Sequence, residues 1–178
     1  MSFAFSRRSF LKYTAVAAVA VAGASLFTGC KIDTSDSYNA LRTTPGELTV
    51  LQVTAAMGNY VEASKSYTAP DVTGTTIAFP FKITNGRANP IYVNPNNFKA
   101  TVLNDKDEFI TKYTASNGLT LDAPLCDTNL KKGASVSGNI NLKLGVALEP
   151  GQSIVLTYCP DLQYNEYSLN WKTTRAKD

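Results

Sequence analysis

Alternation with a period of two is the feature that most constrains this chain. From Ser135 to Leu144 the series Val136, Gly138, Ile140, Leu142 and Leu144 falls on every second residue, and Ser135, Ser137, Asn139, Asn141 and Lys143 take the others. Successive side chains of a strand point to opposite faces, so this segment reads as a strand with one buried and one wet face, as in an antiparallel sheet. Thr75 to Thr84 does the same with Ile77, Phe79, Phe81 and Ile83. Pro80 sits on its other face, and because proline brings no N–H to a ladder the segment is expected at a sheet edge or at a bulge. Leu48 to Ala55 is β-branched and shifts phase at Val53, which predicts one strand with a bulge.

Turn signals at Asn85-Gly86, Asn104–Glu108 and Pro150-Gly151 punctuate further extended segments: Pro90–Val93, Phe98–Leu103, Phe109–Tyr113, Ser153–Tyr158 and Tyr167–Trp171. No segment carries a helical stripe over three turns, and Asn59–Tyr67 has room for one short helix. Roughly seven strands at this spacing predict an all-β sandwich.

Ahead of these strands lies a segment of another kind. Ser6-Arg7-Arg8-Ser9-Phe10-Leu11-Lys12 matches the twin-arginine export pattern, and an Ala/Val-rich run from Tyr13 to Phe27 follows. That run is roughly 15 residues, short of the ~20 that span a bilayer as a helix, which fits the apolar core of a signal peptide. It ends in Leu26-Phe27-Thr28-Gly29-Cys30, similar to the lipobox of bacterial lipoproteins, with Phe27 where that box usually has leucine. The expectation is a leader, residues 1–29, that is removed, leaving Cys30 as the lipidated first residue. The polar segment from Cys30 to about Gly46 then reads as a flexible stalk, residues 47–172 as the sandwich domain and 173–178 as a polar tail. A diacylglyceryl group on Cys30, with palmitate among the acyl chains expected, anchors a protein stably, where one chain alone is marginal. The predicted location is therefore the extracytoplasmic face of the cell membrane.

Charge and composition bear on function chiefly by exclusion. The chain has 17 basic and 14 acidic residues, and Arg7, Arg8 and Lys12 of the leader account for the excess. A neutral mature domain offers no footprint for nucleic acid. Histidine is absent, so imidazole-dependent nucleophiles, histidine-ligated metals and imidazole acid/base chemistry are excluded. No cofactor is expected, and the chain is read as a non-enzyme.

The order of motifs resembles a known family. Ile77–Asn85 with its central Pro80, Asn89–Val93 through Phe98, the Asn104–Glu108 hairpin, Leu130-Lys131-Lys132-Gly133 before a Ser/Gly-rich strand, and Leu156-Thr157-Tyr158 are similar to bacterial surface-lipoprotein domains with an immunoglobulin-like sandwich. Those domains are related in fold to a mycobacterial secreted immunoprotective antigen. The resemblance implies an immunoglobulin-like fold and a lipoprotein setting, and it implies no substrate.

Four groups of residues are candidates for more. Cys126 and Cys159 are the pair left once Cys30 is lipidated, and they stand open between one disulfide and two buried thiols. Asp105, Asp107 and Glu108 could hold a hard cation but lack the loop glycine and enclose Lys106, so they read as a solvated hairpin tip with no metal. Leu162, Tyr164 and Tyr167 form a candidate ligand patch, weighed against simple packing over the sandwich end. Asp161 and Glu166 supply the alternative function, a small carboxylate-dependent hydrolase of cell-wall glycans. The function favoured is a lipid-anchored binding or structural module of the bacterial envelope, with an envelope protein or glycan as partner.

Overall fold

The computed structural model describes residues 39–161 and 167–177. Arg7, Arg8, Cys30, Leu162, Tyr164 and Glu166, together with the leader, lie outside them. The described residues form strands β1 (Asn39–Arg42), β2 (Gly46–Val50), β3 (Val53–Met57), β4 (Asn59–Val61), β5 (Ser66–Thr68), β6 (Thr76–Asn85) and β7 (Ile91–Val93). After a 3-10 turn at Pro95–Asn97 come β8 (Phe98–Leu103), β9 (Phe109–Tyr113), β10 (Leu119–Leu121), β11 (Thr128–Leu130), β12 (Ser135–Lys143), β13 (Ser153–Tyr158) and β14 (Ser168–Thr174).

Two five-stranded sheets, ordered β1-β14-β13-β8-β9 and β10-β12-β6-β3-β2, make a β-sandwich, with two-stranded ribbons β11-β7 and β4-β5 beside them. Every pairing is antiparallel except β1 with β14. Among the described residues no helix is long and apolar enough to cross a membrane. The alternation in the sequence is the register of the central pair: Val136, Ile140 and Leu142 of β12 lie opposite Ile83, Phe79 and Ile77 of β6. Their inward faces are buried. Phe81 of β6 then meets the facing sheet edge-on, with ring centroids 5.5 Å from Phe98, 5.8 Å from Tyr158 and 5.1 Å from Trp171. Edge-to-face contact suits rings whose rims are positive and faces negative. Trp171 is fully buried, and its indole Nε1 donates to the Gly46 carbonyl at 2.9 Å, tying the two sheets.

Four expectations are corrected. β6 is central, not an edge strand: the Pro80 carbonyl accepts from Gly58 N–H at 2.8 Å, just where β3 has ended, so the missing proline donor faces no strand. Leu48–Ala55 is not one bulged strand but the hairpin β2–β3, turned at Leu51 and Gln52, both with positive φ (48° and 61°). Non-glycine residues rarely adopt that conformation; here Arg87 Nε donates to the Leu51 carbonyl and Gly86 N–H to that of Gln52, which holds the turn. Asn59–Tyr67 is the ribbon β4–β5 rather than a helix, its turn closed by Lys65 N–H on the Glu62 carbonyl and its strands by the Tyr60–Tyr67 ring pair. β1 (Asn39–Arg42), finally, lies inside the segment expected to be stalk, so at least those residues belong to the sandwich.

The sandwich has two distinct ends. At one, Asn39 lies beside Ser168, the first residue of β14, and Tyr158, the last of β13, lies beside Phe98. Arg87 pairs with Asp161 there at 3.4 Å. Buried Asn85 organises this end: its Nδ2 donates to the carbonyls of Asn89 (3.0 Å) and Leu130 (2.9 Å), and its Oδ1 accepts from Arg87 N–H. The opposite end carries the Asn104–Glu108 turn, the Pro150-Gly151 turn and the end of β14.

Candidate functional site: a groove at the free edge of β9

β9 closes one sheet and, among the described residues, has no strand on its outer side. An edge strand offers unpaired backbone groups to a partner unless it is blocked. The blocking here is partial, since Asn117 Nδ2 caps the Lys112 carbonyl at 2.9 Å. Beside this edge runs the connection from β12 to β13. Leu144 and Leu148 are buried in the core, and they bracket Val146, which is 80% exposed. Two anchors fix the connection: Gly145 N–H donates to Tyr113 Oη at 3.2 Å, and the Leu148 carbonyl accepts from Arg175. It ends in the turn Glu149-Pro150-Gly151-Gln152, where Gly151 takes φ of 88°, a conformation that suits glycine at this turn position.

Between strand and connection lies a groove of about 290 Å³, lined by Val102, Ile110, Tyr113, Leu144, Val146 and Leu148 among others. Phe109 and Ile110 on the strand are 67% and 45% exposed. One carboxylate, Glu149, reaches the lining. The arrangement provides apolar area next to an open backbone edge, the combination that extended peptides and flat apolar ligands exploit. The sequence carried a signal for it in the aperiodic apolar run Gly145–Leu148, set between a strand and a Pro-Gly turn.

The candidates singled out in the sequence lie elsewhere and do not converge. Tyr167 stands at the end where the chain enters β1, while Leu162 and Tyr164 lie outside the described residues. Asp161 is engaged by Arg87. Asp105 pairs with Lys177 at 3.7 Å and Asp107 with Lys172 at 2.5 Å, and the side-chain oxygen of Asn104 accepts from Lys106 and Glu108 N–H, so the acidic tip is a charge-paired turn. Among the described residues no cluster of three or more Cys, Asp or Glu is placed to hold a metal.

Cys126 and Cys159 are free thiols, so the bridge left open by the sequence is not formed in this structure. Burial pushes both thiols above their ordinary range; for Cys126 the Asp127 carboxylate adds to the effect, and for Cys159 Lys99 partly offsets it. Neither is a ready thiolate. On the β4–β5 ribbon, burial and a 2.7 Å hydrogen bond to Glu47 raise Tyr67 to about 12, so its hydroxyl stays a donor at any physiological pH.

No family model matches the chain, and no curated protein matches it. Solved structures similar to it at low identity include the following three. The ycdA protein of Bacillus subtilis, proposed to be a lipoprotein, shares 13% identity at a TM-score of 0.44, covering 74% of this chain. This chain spans 39% of its length. The yjhA protein of Bacillus subtilis gives 10% identity and a TM-score of 0.39 over 70% of this chain and 91% of that one. The archaeal flagellum of Methanospirillum hungatei strain JF1 gives 15% and 0.42 over 96% and 89%. Likeness at this level carries no argument about function, which has to come from the chain's own residues.

Proposed function

We propose that the chain is a lipid-anchored, extracytoplasmic binding module of the bacterial cell envelope, and that the β9 groove receives its partner, an envelope protein or glycan. The observation that carries the binding reading is the position of that groove. It lies at the end of the sandwich opposite Asn39, where the chain arrives from Cys30, so an anchored domain turns its exposed Phe109, Ile110 and Val146 away from the bilayer. The anchor itself is supported by the Ser6–Lys12 export pattern and the small residues before Cys30. The module is non-catalytic in this reading. A glycan hydrolase would need two carboxyl groups converging at ~5–10 Å; the groove brings in Glu149 alone, and Asp161 is held by Arg87 at the far end.

A photo-crosslinking amino acid placed at Ile110 in intact cells tests the reading. It is expected to yield discrete adducts that a second change, Val146→Lys, reduces at least fivefold. The same probe at Asn129, on the opposite end, yields none of them. Identical adduct patterns from both positions would remove the groove from the account.

A further inference from the structure

The structure shortens the link between anchor and domain. With β1 starting at Asn39, eight residues separate it from Cys30, rather than the longer stalk that the composition suggested. Nine residue steps reach ~30 Å at most, even when fully extended. The sandwich is taller than that maximum reach, since the ten residues of β6 extend ~33 Å. A domain held so close presents the end at which the chain enters to whatever surface holds Cys30.

That end has a suitable surface. The turn between β11 and β12 is fixed to it by Gly133 N–H on the Asn85 carbonyl and Asn85 N–H on that of Ala134, and the turn projects Lys131 and Lys132. Both are exposed, and neither has an ion-pair partner among the described residues. On the neighbouring ribbon Tyr92, 54% exposed, stands opposite Asn129, two positions from Lys131. Among the described acidic groups at this end, Asp161 is paired with Arg87, and Asp127 accepts the Tyr92 hydroxyl at 3.0 Å and keeps its negative charge. Unpaired lysines beside a half-exposed tyrosine match an anionic lipid interface, where ammonium groups meet headgroups and amphipathic rings settle at their level.

We infer that the domain docks on the membrane by this end, with Lys131 and Lys132 against anionic lipid headgroups and Tyr92 at the interface; the inference rests on lipidation of Cys30. Because the anchor has already brought the surfaces together, two lysines opposed by the one Asp127 carboxylate leave a net attraction that shifts the docked population roughly fivefold on an anionic bilayer.

Amine footprinting of the mature lipoprotein tests this. The protein is placed in vesicles of phosphatidylcholine with about a third phosphatidylglycerol, or of phosphatidylcholine alone, and acetylated briefly with an N-hydroxysuccinimide ester. Lys131 and Lys132 are expected to react about two- to fivefold more slowly on the anionic vesicles, with Lys106 at the opposite end unchanged. Equal rates on the two vesicles, with lipid found on Cys30, would overturn the docking and leave the anchor standing. Slowing of Lys106 instead would overturn the orientation. Absence of lipid on Cys30 would overturn both the anchor and the docking.

Discussion

Trp171→Ala is expected to lower the stability of the domain by about 3–5 kcal/mol, the cost of deleting a fully buried large aromatic from a close-packed core. Three losses combine. The indole fills the space between the sheets, its edge-to-face contact with Phe81 disappears, and the Gly46 carbonyl loses the donor that satisfied it across the sandwich. Domains of this size hold ~5–15 kcal/mol in all, so the variant should melt ~10–20 °C lower by calorimetry. Trp171→Phe separates the terms, because it keeps a ring against Phe81 and loses the hydrogen bond; about 1–2 kcal/mol is expected. Since this is the single tryptophan of the chain, unfolding of both variants is followed by far-ultraviolet circular dichroism. A loss under 1 kcal/mol for the alanine variant would mean that the two sheets are not joined through this residue.

Asn85→Ala should cost about 3–4 kcal/mol despite removing very little apolar volume. The side chain is fully buried and satisfies two carbonyls and one N–H, those of Asn89, Leu130 and Arg87. Each buried polar group left without a partner costs about 1–3 kcal/mol, and water entering the end of the sandwich recovers part of that. Asn85→Asp is no rescue: it retains the acceptor for Arg87 N–H but sets a carboxylate against two carbonyl oxygens. Hydrogen exchange should show the damage concentrated at Leu130–Ala134 and Arg87–Asn89, with the β6–β12 ladder protected. Uniform loss of protection along that ladder would contradict a local role.

What the sequence made legible follows from how each element is stabilised. β6 and β12 were readable because both inward faces are made by their own side chains, so the alternation of Ile77, Phe79, Phe81 and Ile83 survives intact into the register. The β2–β3 hairpin was hidden because Leu51 and Gln52 carry no turn signature; their left-handed conformations are held by Gly86 and Arg87, some 35 residues on. β1 was read as stalk because Asn39–Arg42 is short and has no apolar period, and its extended form comes from parallel pairing with β14 and from Asn170 Nδ2 donating to the Ala40 carbonyl at 3.1 Å. For the groove, the apolar run Gly145–Leu148 was a signal that did not say where it packs: Ile110 and Val146 belong to separate elements, and only the burial of Leu144 and Leu148 brings their connection against the β9 edge. Among the proposed sites, the readings of Cys30 and the arginine pair rest on local sequence patterns outside the described residues, whereas Cys126 and Cys159 depended on a spacing that no linear pattern encodes.

The claim on which orientation, groove and docking all depend is that this domain hangs from lipid at Cys30. Intact mass analysis of the protein extracted from washed envelope membranes tests it most directly. The account predicts a chain that begins at Cys30 and carries a diacylglyceryl group on its sulfur. A chain recovered from the cytosol, still beginning at Met1 and with an unmodified Cys30 thiol, would contradict it.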